Sequence, residues 1–195
     1  MKKQISLAQY RNTDLVFLCI IMVVTQTLIS VMATRLSGIP QFVASPIAAV
    51  VALVMMRWNG WAGLHAVVGG VLYAFLHNGS WQYYLIYGGG NLLCLVVLLL
   101  FRLWDKEKVR KSGVLTMLYA GGVQLVMLVG RALVALLLGF EPAACLVFIT
   151  TDALSLLLTV VAIWCIRRIE GLFEDQIHYL LRVESERQVE GRDQF

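Results

Sequence analysis

Long apolar blocks separated by short polar breaks dominate the chain. Six blocks read as membrane spans: Thr13–Thr34, Phe42–Met56, Trp61–His77, Tyr83–Phe101, Val114–Leu138 and Ala143–Ile166. They run for about 15 to 25 residues, against the roughly 20 an α-helix needs to cross a hydrocarbon core of about 30 Å. The second and third are short, so they must thin the bilayer locally or be shielded by neighbours. The polar–apolar alternation of barrel strands is absent. The pattern predicts an all-α integral membrane bundle of six transmembrane helices.

Beyond the sixth block the pattern changes. Ile169, Leu172/Phe173, Ile177 and Leu180/Leu181 recur at helical spacing among charged residues. This predicts an amphipathic helix at the membrane surface or against a cytoplasmic partner. Glu170, Glu174 and Asp175 on its polar face argue against simple attraction to anionic lipid. Residues 1–168 form the six-helix transmembrane domain, and 169–195 the cytoplasmic amphipathic helix and polar tail.

Composition agrees with the pattern: 59% of residues are hydrophobic and 14% charged, against about 25% charged in a soluble domain. Every Lys and Arg except Arg35 and Arg131 falls on one side of the expected bundle. The positive-inside rule makes that side cytoplasmic, with both termini on it, in a multi-pass cell-membrane protein. The net charge of +4 reflects this topology and not nucleic-acid binding. Trp58, Trp61, Trp104 and Trp164 mark the cytoplasmic edge, and Trp81, Tyr83, Tyr84 and Tyr87 the outer edge, as in an aromatic belt. Met1-Lys2-Lys3 before an apolar run resembles a signal peptide, but the run is long and more membrane follows, so a retained first helix is expected.

Several features carry little chemistry. Cys19, Cys94, Cys145 and Cys165 lie singly in or beside apolar spans, as packing residues. His65, His77 and His178 have no metal-ligand spacing, and Asn78-Gly79-Ser80 matches a glycosylation sequon only formally. Small residues at Ala44/Ala48/Ala52, Ala62/Ala66/Gly70 and Gly63/Gly69 allow close helix approach, either within the bundle or against another membrane subunit.

The informative residues are polar groups inside the last three spans. Tyr84, Tyr87 and Asn91 are spaced i, i+3, i+7 in the fourth; Gln124 and Arg131 are seven apart in the fifth; Asp152, Ser155 and Thr159 are spaced i, i+3, i+7 in the sixth. Each set predicts one helix face. Arg131 lies about 10 Å and Asp152 about 14 Å from the outer end of its span, at 1.5 Å per residue. A charge at such depth costs from about 2.5 kcal/mol upward and is usually paired or functional. The expectation is a polar pocket open to the outside and rimmed by aromatics, with Gln26 and Ser30 joining it or serving a helix contact elsewhere. Arg131 and Asp152 either lock the last hairpin as a structural ion pair or bind a polar ligand. Desolvation offsets much of a buried pair's attraction, so the accompanying Asn91, Gln124, Ser155, Tyr84 and Tyr87 favour the ligand. The chain has no HExxH, GxSxG or P-loop and no intramembrane carboxylate cluster, so neither catalysis nor a cofactor is expected.

The segment from Ser45-Pro46 through Arg57-Trp58-Asn59-Gly60-Trp61 to His65-Ala66-Val67-Val68-Gly69-Gly70, followed by Tyr84-Leu85-Ile86-Tyr87 and Gly90-Asn91-Leu92-Leu93, resembles the substrate-binding S component of an energy-coupling factor (ECF) transporter. The resemblance is one of profile: six helices in a short chain, cytoplasmic termini, an outward polar pocket and no ATPase motif. It implies capture of a vitamin or other micronutrient from outside, beneath a mobile loop corresponding to Arg35–Gln41. The first three helices would dock on a transmembrane coupling subunit that binds two cytoplasmic ATPases, and the subunit would reorient to release its substrate inward. Many members carry AxxxA in the first helix; this chain departs from that pattern, having only Ser30/Thr34 at this spacing there, and the second-span alanines would substitute. The alternative is a structural scaffold of the cell-shape or division type, recruiting partners through Arg167–Arg182.

Overall fold

The computed structural model describes residues 6–36, 44–150 and 152–192, and among these it is helical, without strands. Helix α1 (Leu7–Leu36) starts at a reciprocal cap: Ser6 N–H donates to Gln9 Oε1 (3.1 Å) and Gln9 N–H to Ser6 Oγ (3.2 Å). Two of the N–H groups a helix start leaves unpaired are thereby satisfied. One face of α1 buries Leu15, Leu18, Met22 and Gln26, while Phe17, Ile20, Val24 and Leu28 are exposed. An apolar face turned outward is expected where the solvent is lipid.

Among the described residues five helices are long and apolar enough to cross a membrane: Leu7–Ala33, Ile47–Leu76, Trp81–Leu103, Gly113–Leu137 and Pro142–Ile166. The stretch Ile47–Leu76 holds the second and third expected spans. Asn59 breaks it with a left-handed backbone (φ 53°), separating α2 (Ile47–Trp58) from α3 (Ala62–Leu76) by one 3-10 turn. The two arms fold back on each other, since a Cβ on Gly69 would lie 2.6 Å from Ile47 Cγ2. At 1.5 Å per residue they reach only about 18 and 22 Å. Every residue of α2 from Ile47 to Trp58 is buried, so its neighbours shield this short arm from lipid.

Helix α4 (Trp81–Leu103) is not uniform. It widens into a π turn at Leu85–Gly89 and tightens to 3-10 winding over Leu92–Leu99. A short helix α5 (Lys106–Lys111) leads into α6 (Gly113–Leu137), which Ser112 caps by accepting from Leu115 N–H (3.4 Å). The last membrane-length helix is interrupted at Asp152, giving α7 (Pro142–Thr150) and α8 (Ala153–Ile166). The carboxylate stands at the N-terminal end of α8, where the helix dipole favours negative charge.

The tail departs from its expected form. Ile169–Asp175 is not helical, and α9 begins only at Gln176 and runs to Arg192. Gly171 adopts φ 72°, and Glu174 Oε1 accepts its N–H (2.7 Å). Arg57 donates to the carbonyls of Gly171 and Leu172 (2.9 Å each). The carbonyls released from helical bonding thus find a charged donor. The turn buries Phe173 to 1% exposure against Tyr119, ring centroids 6.2 Å apart. Lys106–Asp175 (2.7 Å) and Arg110–Glu174 (3.2 Å) stitch it to α5. Burial lowers the Lys106 ammonium below its ordinary range, with Asp175 opposing the shift. The apolar residues do not share one buried face: Phe173 points inward, while Ile177 and Leu181 are exposed. Phe173→Ala is expected to remove roughly 3–5 kcal/mol of packing and to make the tail cleavable by trypsin at Arg182. Equal proteolysis of variant and parent would show that the turn is not anchored through Phe173.

Candidate functional site

Three helices meet with almost no side chain between their backbones. A Cβ on Gly70 of α3 would strike the Tyr87 carbonyl oxygen, and one on Gly130 of α6 would strike the Gly90 carbonyl oxygen. Glycine permits this approach because it has no Cβ, as in small-residue helix contacts in lipid. The π turn of α4 lies at this crossing, and Tyr87, Asn91 and Arg131 extend from it.

The Arg131 guanidinium is the centre. Its Nε donates to Asn91 Oδ1 (2.7 Å) and its Nη1 to Asp152 Oδ2 (2.9 Å). Its Cζ lies 4.8 Å from the Tyr87 ring centroid, a cation–π distance. Asp152 Oδ2 also accepts from Gln124 Nε2 (3.1 Å), and Asn91 Nδ2 donates to the Ala66 carbonyl (3.2 Å). Asn91 and Gln124 are buried, and the pair is nearly so, with side-chain exposures of 6% for Arg131 and 17% for Asp152. A guanidinium has five N–H donors. Among the described residues two bonds engage Arg131, at Asn91 and Asp152.

Five expected site residues therefore come together: Arg131, Asp152, Asn91, Gln124 and Tyr87. Two do not. Ser155 lies one turn beyond Asp152, but its Oγ accepts the Ser45 N–H (2.8 Å). Ser45 Oγ in turn donates to Gln26 Oε1 (2.8 Å), and Gln26 Nε2 to Ser30 Oγ (2.9 Å). Gln26 and Ser30 thus serve a helix contact beside the cluster. Thr159 is buried with its hydroxyl unpartnered among the described residues. Tyr84 is only partly buried and has no hydrogen bond or ring contact to the cluster. The π turn is the reason: its i→i+5 bonding widens the helix and breaks the i, i+3, i+7 face assumed for Tyr84, Tyr87 and Asn91.

Tyr83 takes the expected place of Tyr84, its ring 6.2 Å from that of Tyr87. Tyr73 (4.6 Å) and Phe148 (6.0 Å) complete the aromatic surround, and His77 stacks on Tyr73 (4.2 Å). Sequence reasoning missed Tyr73 and Phe148; the i, i+4 spacing of Tyr73 and His77 was the available signal. Cavities of about 460 Å³ beside Arg11, Trp58 and Trp61 and about 370 Å³ between α5 and α9 lie away from the cluster, and an apolar one of about 300 Å³ flanks the Gly90–Gly130 crossing without Arg131, Asn91 or Asp152 in its lining. In place of the expected open pocket, the described residues form a compact polar cluster. The segment 37–43, which contains most of the loop expected to cover it, lies outside the described residues.

A second ionic cluster, which sequence reasoning divided between topology charges and the tail, sits at the opposite end. Both Asp14 oxygens are engaged by Arg57 (2.8 and 2.9 Å), and Oδ2 also by Trp58 Nε1 (2.5 Å). His65 Nε2 lies 3.0 Å from the Leu15 carbonyl, a helix contact. Among the described residues no group of three His, Cys, Asp or Glu is placed to hold a metal.

Fold and site together define a helical protein of membrane-length apolar helices with a charged cluster buried between them. No protein-family profile, curated protein or solved structure matches this chain.

Proposed function

We propose that this chain is the substrate-capture subunit of an importer, similar in kind to an ECF S component. In this reading it crosses the membrane six times, α2 and α3 counting as separate arms, with both termini cytoplasmic and the Arg131 cluster in the outer half. It takes a small micronutrient from outside and releases it inward with a transmembrane coupling subunit and cytoplasmic ATPases. The supporting observation is Arg131 itself: a buried guanidinium held by Asn91 and Asp152, with further donors for a ligand oxygen and tyrosine rings beside it. Such a site suits a zwitterionic or aromatic ligand.

The scaffold alternative draws on the exposed Ile177 and Leu181 of α9. It loses the first part of its recruiting surface, because Phe173, Glu174 and Gln176 are buried in the chain's own body. Native mass spectrometry of protein purified in mild detergent tests the capture reading. A co-purified small molecule is expected in the parent and absent from Asp152→Asn at unchanged helicity. A parent that carries no small molecule and binds none from a vitamin panel would defeat it.

A further inference from the structure

A cavity lies at the charge-rich end of the bundle, away from the Arg131 cluster. It occupies about 460 Å³ between the start of α1, the α2–α3 turn and α9. Arg11 lies on its wall, the guanidinium carbon 4.6 Å from the Trp61 ring centroid. Among the described residues Arg11 has no carboxylate partner, and its Nε is buried without an acceptor. The nearby candidate acceptor, Asp14, is occupied by Arg57 and Trp58. Arg57, also on the wall, is occupied by Asp14 and by two carbonyls of the tail turn. Among the described residues on this wall, Arg11 is thus the cation without a carboxylate partner.

Its mouth is apolar: Leu7, Leu64 and Ile177 are 49%, 54% and 45% exposed. From Leu64 an exposed apolar stripe continues along α3 through Val71 and Phe75. A cation in an aromatic niche above an apolar track, at the ends of membrane-length helices, matches a lipid with an anionic head and acyl chains. We propose that this cavity binds the phosphate of an anionic phospholipid, Arg11 donating to the phosphate oxygens and the acyl chains lying along Leu64 and Val71. This site is independent of the capture reading.

Quenching of tryptophan fluorescence by brominated lipids in nanodiscs tests the proposal. Brominated phosphatidylglycerol is expected to be preferred over brominated phosphatidylcholine by roughly five-fold in apparent affinity, the equivalent of about 1 kcal/mol for one basic residue near an anionic surface. Trp61→Phe removes the selective component, Arg11→Gln abolishes the preference, and Arg11→Lys retains it. Arg102→Gln, which deletes an exposed charge at the same end, keeps the preference. Equal quenching by the two lipids in the parent overturns the proposal, as does a preference that survives Arg11→Gln. Loss of the preference on adding millimolar inorganic phosphate assigns the site to free phosphate and overturns the lipid. Should Arg11→Gln lose its helical circular dichroism, the parent and Arg11→Lys decide by the same ratio.

Discussion

Arg131→Ala is expected to abolish ligand retention and to destabilise the bundle by roughly 3–5 kcal/mol, the range for removing one partner of a buried ion pair. The loss has two parts. Among the described residues Asp152 keeps the Gln124 amide (3.1 Å) as its side-chain donor between apolar helices, and Asn91 Oδ1 loses its 2.7 Å donor. A thermal melt in detergent micelles reads the stability, and ligand titration reads the binding. The double variant Arg131→Met with Asp152→Leu separates the two roles of the pair. Replacing both charges by apolar groups is often neutral or stabilising, so its melting temperature should return towards the parent while binding stays lost. A double variant that melts normally and still binds would reduce the pair to a structural lock.

Gly130→Ala should be among the most damaging single-methyl changes, because its Cβ meets the Gly90 carbonyl oxygen and lies 2.8 Å from Leu93 Cβ. A backbone atom cannot rotate aside as a side-chain tip can. Overpacking costs typically about 1–3 kcal/mol and occasionally more, and the upper end is expected here. Parting α4 from α6 would also draw Asn91 away from Arg131, so affinity should fall with stability. Gly122→Ala on the same helix is the control. Nothing lies within 4 Å of its Cβ, and replacing a helical glycine should stabilise by up to about 1 kcal/mol. Identical melts for the two variants would contradict the close crossing.

The Arg131–Asp152 pairing was legible before the fold because ionised groups among apolar helices need partners, and few others were available. Gln124 followed from its seven-residue spacing to Arg131, and Asn91 from being a polar residue inside the neighbouring apolar span. Tyr84 failed where that regularity fails: the π turn at Leu85–Gly89 changes the angle per residue and brings Tyr83 towards Tyr87. Ser155 failed for a different reason. Its face was right, but the Ser45 N–H, 110 positions away in sequence, claims its oxygen. The tail was read as continuous helix because its apolar spacing is helical. Gly171 instead takes a left-handed backbone and Arg57 captures the freed carbonyls, a long-range contact that periodicity does not encode.

The sequence alone determined the apolar helices and the need of two deep charges for each other, because the energies concerned, burial of apolar surface and desolvation of charge, belong to residue types and their local order. Tertiary structure decided which tyrosine faces the guanidinium, where the last helix breaks, and that the tail folds into the bundle. These depend on backbones meeting at Gly70, Gly90 and Gly130 and on donors arriving from distant segments, and such geometry exists only once the helices are packed.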